Sequence, residues 1–117
     1  MFERFADNCI KITRGDDAKS TLTINAGTKM RPEVYELKEG DQLLFHIMEP
    51  NQKFEDAFLK KVYTKDDLDE NKDVVIVFTH VDTVDLTQGL YYYEVKLIEA
   101  DGTYITIIPM SRFIIEN

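Results

Sequence analysis

A chain of 117 residues makes one ordinary domain, long enough for a single hydrophobic core without disulfides or metals. With 44% apolar and 31% charged residues it reads as soluble and globular, and no run approaches the roughly 18 apolar residues of a membrane-spanning helix. The net charge of −8 argues against nucleic acid and anionic membrane surfaces as partners, because both are gripped through Lys and Arg.

The opening Met1-Phe2-Glu3-Arg4-Phe5-Ala6-Asp7 has neither the basic nor the apolar region of a signal peptide, so synthesis in a cytoplasm is expected. Residues 1–8 are expected as an N-terminal arm, and the whole of 1–117 as one sandwich domain. The lone Cys9 allows neither an intramolecular disulfide nor a zinc framework, and is expected as a small apolar residue of the first strand.

Period-2 alternation then marks strands in succession. Asn8–Thr13 sets Ile10 and Ile12 on one face. Arg14-Gly15-Asp16-Asp17 is a turn, and Ala18–Ile24 a second, Thr-rich strand. Asn25-Ala26-Gly27-Thr28-Lys29 and Pro32 indicate a loop; Val34, Tyr35 and Leu37 suggest a short strand before the Glu39-Gly40-Asp41 turn. Gln42–Met48 points Leu43, Phe45 and Ile47 one way and Gln42 and His46 the other, with Pro50 as its stop.

Phe54–Thr64 suits either a helical turn or a strand, with the strand favoured by the Val, Tyr and Thr of its second half. Lys65–Asp73 is a charged connection. Val74–Thr79, continuously apolar, is expected as a central strand. In His80–Gly89, Asp82-Thr83 has the chemistry to cap a short helical turn. Tyr91, Tyr93, Val95 and Leu97 alternate with Tyr92, Glu94 and Lys96 in a long strand. Asp101-Gly102 signals a two-residue hairpin, Thr103–Ile108 returns as far as Pro109, and Phe113–Glu116 ends the chain as a short strand or an extension of the edge. The sum is an all-β protein, an immunoglobulin-like antiparallel sandwich of about seven to nine strands.

Leu86-Thr87-Gln88-Gly89-Leu90-Tyr91-Tyr92-Tyr93 is the most informative stretch. A tyrosine near the start of a core strand, just past a turn between sheets, pins that crossover through its hydroxyl in immunoglobulin-like sandwiches. Gly89 frees the turn, Tyr91 stands where the corner tyrosine belongs, and Tyr93 takes the inward place that antibody domains give to cysteine.

Catalytic and cofactor patterns are not found. His46, His80, Ser20 and Ser111 form no nucleophile motif, and both histidines are expected at the surface or at a boundary. Asp67, Asp69, Asn71 and Asp73 begin like a calcium loop, but Lys72 replaces its glycine and Phe78 its final glutamate. The glycines are scattered at turns, so no phosphate cradle exists, and no carboxylate pair stands out for acid–base work. Arg14-Gly15-Asp16 matches an adhesion tripeptide but reads as a turn between strands. No enzyme activity, cofactor or metal is expected.

The order Ile12-Thr13-Arg14-Gly15-Asp16, a Thr-rich strand, Glu39-Gly40-Asp41, then Asp82-Thr83, Leu86, Gly89, Tyr91, Tyr93-Glu94-Val95, the Asp101-Gly102 hairpin and Thr106-Ile107-Ile108 resembles the N-terminal domain of phage baseplate upper proteins and related small prophage proteins. The resemblance implies an immunoglobulin-like virion component of a tailed phage or prophage tail tip or baseplate, made in the host cytoplasm and docked to other virion proteins or to further copies of itself. Members of that family continue into a segment that holds receptor-binding proteins, whereas this chain stops at Asn117, so an adaptor or decoration role is equally open. An alternative of another class is a carbohydrate-binding sandwich with Tyr35, Tyr63, Tyr92 and Tyr104 as its platform, a reading weakened by the absence of Trp.

Overall fold

The alternation of apolar and polar residues sets the strands in the computed structural model, which describes residues 2–4, 8–22, 24–25 and 34–117. In chain order they are β1 (Phe2–Arg4), β2 (Ile10–Thr13), β3 (Ala18–Leu22), β4 (Ile24–Asn25), β5 (Val34–Tyr35), β6 (Gln42–Met48), β7 (Leu59–Tyr63), β8 (Val74–Phe78), β9 (Gly89–Ile98) and β10 (Tyr104–Glu116). One helical turn, α1 (His80–Thr83), joins β8 to β9. Within the expected arm, Phe2–Arg4 pair antiparallel with β2. The expected Asn25–Lys29 loop and Pro32 fall largely outside the described residues.

Six strands form the larger sheet in the order β1-β2-β10-β9-β6-β7; β3 pairs with β8, and β4 with β5. The chain crosses from β3 to the large sheet at β6, and from β8 back to it at β9, which is the crossed connectivity of an all-β, sandwich-like fold. One pair departs from the expected antiparallel pattern: β2 runs parallel to β10, with Ile10 beside Phe113 and Ile12 beside Ile115. Two strands so far apart in sequence have no hairpin between them to impose an antiparallel direction.

The apolar faces meet between the sheets. Ile10, Ile12, Leu43, Phe45, Ile47, Tyr91, Tyr93, Val95, Leu97, Phe113 and Ile115 from the large sheet pack with Leu22, Val74, Ile76 and Phe78 from the β3–β8 pair. The gap left between them is about 10 Å³, room for one water at most. Phe45 and Tyr93 stack at 5.1 Å, and Phe78 and Phe113 close the cluster edge-on or tilted. Cys9 is buried at the entry to β2.

Four expectations need correction. Val74–Phe78 is a continuous apolar run, but among the described residues β3 is the one strand that β8 pairs with, a single bridge from Val74 to Leu68 aside; Val74, Ile76 and Phe78 face the core while Val77 stays 37% exposed. The outward N–H of Val77 donates to the Tyr63 hydroxyl at 3.3 Å, so a side chain occupies part of the place of a neighbouring strand. Second, β10 does not stop at Pro109 but continues to Glu116; the pairing with β9 shifts register between Thr106 and Ile108 and again before Ser111, and a bulge is where a strand tolerates proline. Third, Phe54–Thr64 divides into one 3₁₀ turn at Phe54–Asp56 and β7. Fourth, the cap of α1 is shared between Thr79 at its start and Asp82 within it: the Thr79 N–H donates to the Asp82 carboxylate at 2.8 Å, so Asp82 caps as expected, whereas Thr83 is buried at the end of the turn.

The turn before β6 is held by a buried acid. Asp41, 3% exposed, accepts from the Tyr35 hydroxyl at 2.5 Å, the Lys38 N–H at 2.9 Å and the Ala100 N–H at 3.0 Å. Burial by itself would raise its pKa; these hydrogen bonds outweigh burial and keep it below the ordinary carboxylate value, while the hydroxyl of Tyr35, bonded to that anion, is pushed up to about 12. The bond to Ala100 draws the β9–β10 hairpin against Gly40, where a Cβ would lie 2.8 Å from the Ala100 Cβ and φ is +88°. Gly40→Ala meets both obstacles, so chemical denaturation is expected to show a loss of about 2 kcal/mol, against near neutrality if the turn moves freely.

Candidate interaction surface

The residues singled out in the sequence lie on or beside β9. Gly89 opens that strand at φ +152°, paired with Ile115. Two residues on, the Tyr91 hydroxyl donates to the Thr87 carbonyl at 2.7 Å, tying the strand back to the turn it has just left. Its ring is buried, with Phe58 edge-on at 5.5 Å. Tyr93 is fully buried, and its hydroxyl donates to the Asn8 carbonyl, joining β9 to the approach of β2.

A second set of contacts, not foreseen from the sequence, fastens the connection from β8 to β9 onto the turn between β2 and β3. Thr83 is fully buried and its hydroxyl accepts the Gly15 N–H at 2.9 Å. Asp17 accepts the His80 N–H at 2.5 Å and lies 3.2 Å from the His80 ring, which places Arg14–Asp17 in the turn role expected of it. Backbone and ring bonds to His80 hold the Asp17 pKa below its ordinary value. The only sequence hint of this latch was a Thr next to Asp82 in a stretch without strand alternation.

His46 contradicts the surface expectation. Its ring is 6% exposed, stacked on Phe54 at 3.9 Å with Nδ1 2.8 Å from the Phe54 carbonyl. It stands on the outward side of β6, as the alternation implied, but the Phe54–Asp56 turn folds over that face, and Lys96 covers the Phe54 ring at 4.6 Å. Burial, above all, lowers the His46 pKa from 6.5, helped by Lys60 and Lys96 and opposed by the Phe54 carbonyl and Glu94.

Among the described residues, no three His, Cys, Asp or Glu side chains converge as metal ligands, and no helix is long and apolar enough to cross a membrane. Asp69 uses its carboxylate to accept the Asn71 and Asp73 N–H groups, both at 2.9 Å, folding its own loop. The four candidate platform tyrosines are dispersed. Tyr35 serves Asp41 and Tyr63 serves Val77. Tyr92 and Tyr104 share the outer face of β9–β10, but Tyr104 sits beside Ile98, six positions from Tyr92, or about 20 Å along a strand.

The Asp101-Gly102 signal marks a hairpin, with a loop one residue longer than expected. Glu99 N–H donates to the Thr103 carbonyl and Gly102 N–H to the Glu99 carbonyl, both at 2.8 Å, so Ala100, Asp101 and Gly102 form the loop. Gly102 takes φ +90° as its bulge residue, and the Asp101 carboxylate accepts the Thr103 N–H at 2.9 Å, an added bond that the two-residue signature does not include. From this hairpin emerges an exposed apolar strand segment. Tyr104 is 65%, Ile105 38% and Met110 50% exposed, and among the described residues no strand pairs with the second edge of β10 before Phe113.

No protein-family model matches the chain, and no curated protein matches it.

Two measurements check these contacts. Tyr91→Phe removes only the hydroxyl and is expected to lower stability by about 1 kcal/mol, whereas an unchanged unfolding midpoint would remove the corner bond from the account. His46 favours its neutral form in the folded state, so its contribution is complete above the unfolded value of 6.5 and is lost as pH falls below it. Nuclear magnetic resonance should show the ring titrating below 6.5, with a urea midpoint that declines toward about pH 5 less steeply in His46→Gln; a ring titrating at or above 6.5 overturns its burial.

Proposed function

We propose that this chain is a non-catalytic structural or adaptor component of a tailed phage or prophage virion, positioned in the tail tip or baseplate and acting through protein–protein contacts. The observation that carries the reading is the apolar edge of β10, which no strand among the described residues pairs with before Phe113, on a frame fastened elsewhere. A strand edge with unanswered N–H and C=O groups is a template for another strand, and proteins that keep one exposed commonly use it for docking. The identification of the assembly as a virion rests on the order of motifs from Ile12 to Ile108 that resembles baseplate upper proteins.

The test is biochemical. Particles induced from the strain that encodes the chain, purified by density gradient and analysed by mass spectrometry, are expected to contain it in fixed ratio to tail proteins. Particles of intact tails lacking it would overturn the virion assignment, and a hydrolytic activity abolished by one Asp or Glu substitution would overturn the non-catalytic one.

A further inference from the structure

The partner of the β10 edge follows from hydrogen-bond direction and charge together. In an antiparallel pair, bonded and non-bonded residue pairs alternate. Glu99 and Thr103 are a bonded pair, so two positions on Leu97 and Ile105 are as well. The intervening Tyr104 and Thr106 therefore direct their N–H and C=O groups away from β9. β2 reaches β10 only from Phe113 onward, and among the described residues nothing else pairs with Tyr104–Thr106. Past Thr106 the register shift and Pro109 disrupt the edge, which limits added pairing to a short stretch and guards against runaway association.

The edge itself carries no Asp, Glu, Lys or Arg between Asp101 and Arg112, yet it starts from the acidic end of the molecule. The turn before β6, the connection from β7 to β8 and the β9–β10 hairpin lie together, tied by the Ala100–Asp41 bond at 3.0 Å and the Lys65–Glu39 pair at 3.7 Å. Residues 36–41, 64–73 and 99–103 hold 10 of the 22 acidic residues and 3 of the 14 basic ones, or −7 of the net −8. A second copy brought edge to edge would carry the same concentration of negative charge, whereas a cationic strand would be drawn to it.

We propose that the Tyr104–Thr106 edge of β10 receives, as an added antiparallel strand, an extended segment of a different protein in which apolar and basic residues alternate. This rests on the reading of the chain as a docking module and specifies what it docks. The N–H and C=O groups of Tyr104 and Thr106 pair with the incoming backbone. The apolar side chains, all on one face of the added strand, cover Tyr104 on the outer side, and the basic ones, on the opposite face that Ile105 shares with Leu97 and Glu99, approach Glu99, Asp101 and the neighbouring acidic loops.

The test uses fluorescence anisotropy of the full chain with a labelled octapeptide of alternating lysine and valine as the probe. It is expected to bind, and to weaken as salt rises from about 0.1 to about 1 M and the Debye length contracts from about 10 to about 3 Å. The same peptide N-methylated on alternate residues, which cannot complete the ladder, is expected to bind at least about tenfold more weakly, and so is the chain carrying Thr106→Pro, which loses an outward N–H but no bond to β9. Should Thr106→Pro fail to fold, the N-methylated peptide alone decides. Equal binding of the methylated peptide overturns strand addition. Equal binding of an alternating glutamate and valine peptide overturns the charge assignment. Self-association that Thr106→Pro abolishes makes the occupant a second copy and overturns the proposal. Thr106→Pro chain that still enters phage particles at the normal ratio defeats this inference while leaving the virion reading intact; absence of the wild-type chain from those particles defeats the reading whatever the peptides do.

Discussion

The stack of Phe45 on Tyr93 is the contact on which the remaining architecture depends. Tyr93 stands fully buried on the inward face of β9, and a chain with one cysteine has no intramolecular disulfide to join its sheets. An aromatic cluster of Phe45, Tyr93, Phe78 and Phe113 joins β6, β9, β8 and β10 instead. Each such ring buries roughly 150–250 Å², and favourable ring pairs add about 0.5–1.5 kcal/mol apiece. The Tyr93 hydroxyl then reaches the Asn8 carbonyl, so one side chain ties the ring cluster of the large sheet to the approach of the strand that enters beside β10, while Phe78 carries the cluster across to the other sheet.

Given that centre, the two ends of the sandwich are fastened in different ways. At one end the fastening is spread over several separate bonds: Tyr91 on Thr87, Thr83 on the Gly15 N–H, and the His80 N–H on the Asp17 carboxylate. At the other it is a single buried anion, Asp41, that gathers Tyr35, Lys38 and Ala100. An ionised carboxylate is tolerated there because three donors replace its water. The consequence for binding is positional. The hairpin is held at Ala100, so the first residues of β10 leave it in a fixed direction and their outward backbone groups are ordered before any partner arrives, which reduces the entropy lost on association.

Wherever one face is buried and the other wet, alternation identified the strand. β6 and β9 are read correctly down to the direction of Leu43, Phe45, Tyr93 and Val95, and Tyr91 was identifiable because a glycine two residues earlier and an inward tyrosine two residues later fix its place relative to the turn. The failures share one cause: they depend on what covers a residue from elsewhere in the chain. His46 faces outward as read, and only the Phe54–Asp56 turn, a segment ambiguous between helix and strand, makes it buried. The apolar run of β8 looked central because both its faces are apolar, yet part of its second edge is answered by a tyrosine hydroxyl. Pro109 reads as a stop because a bulge in β10 leaves no local trace. For the interaction surface, the sequence showed the hairpin and the uncharged segment after it, but not that β2 ends short of that segment, since a parallel pairing between strands a hundred residues apart follows from tertiary packing alone.

That short overlap gives β10 two different halves. From Phe113 to Ile115 it lies between β9 and β2, with Phe113 and Ile115 closed in the core. From Tyr104 to Thr106 it is paired on one side, and on the other no strand pairs with it among the described residues. The bulged stretch with Pro109 separates the halves and interrupts the ladder between them, so strain from a partner strand at one end need not propagate as a register slip into the aromatic core. The proposed partner strand would therefore meet an edge held at the hairpin by the Ala100–Asp41 bond, while the half of β10 in the core keeps its register with β9 and β2.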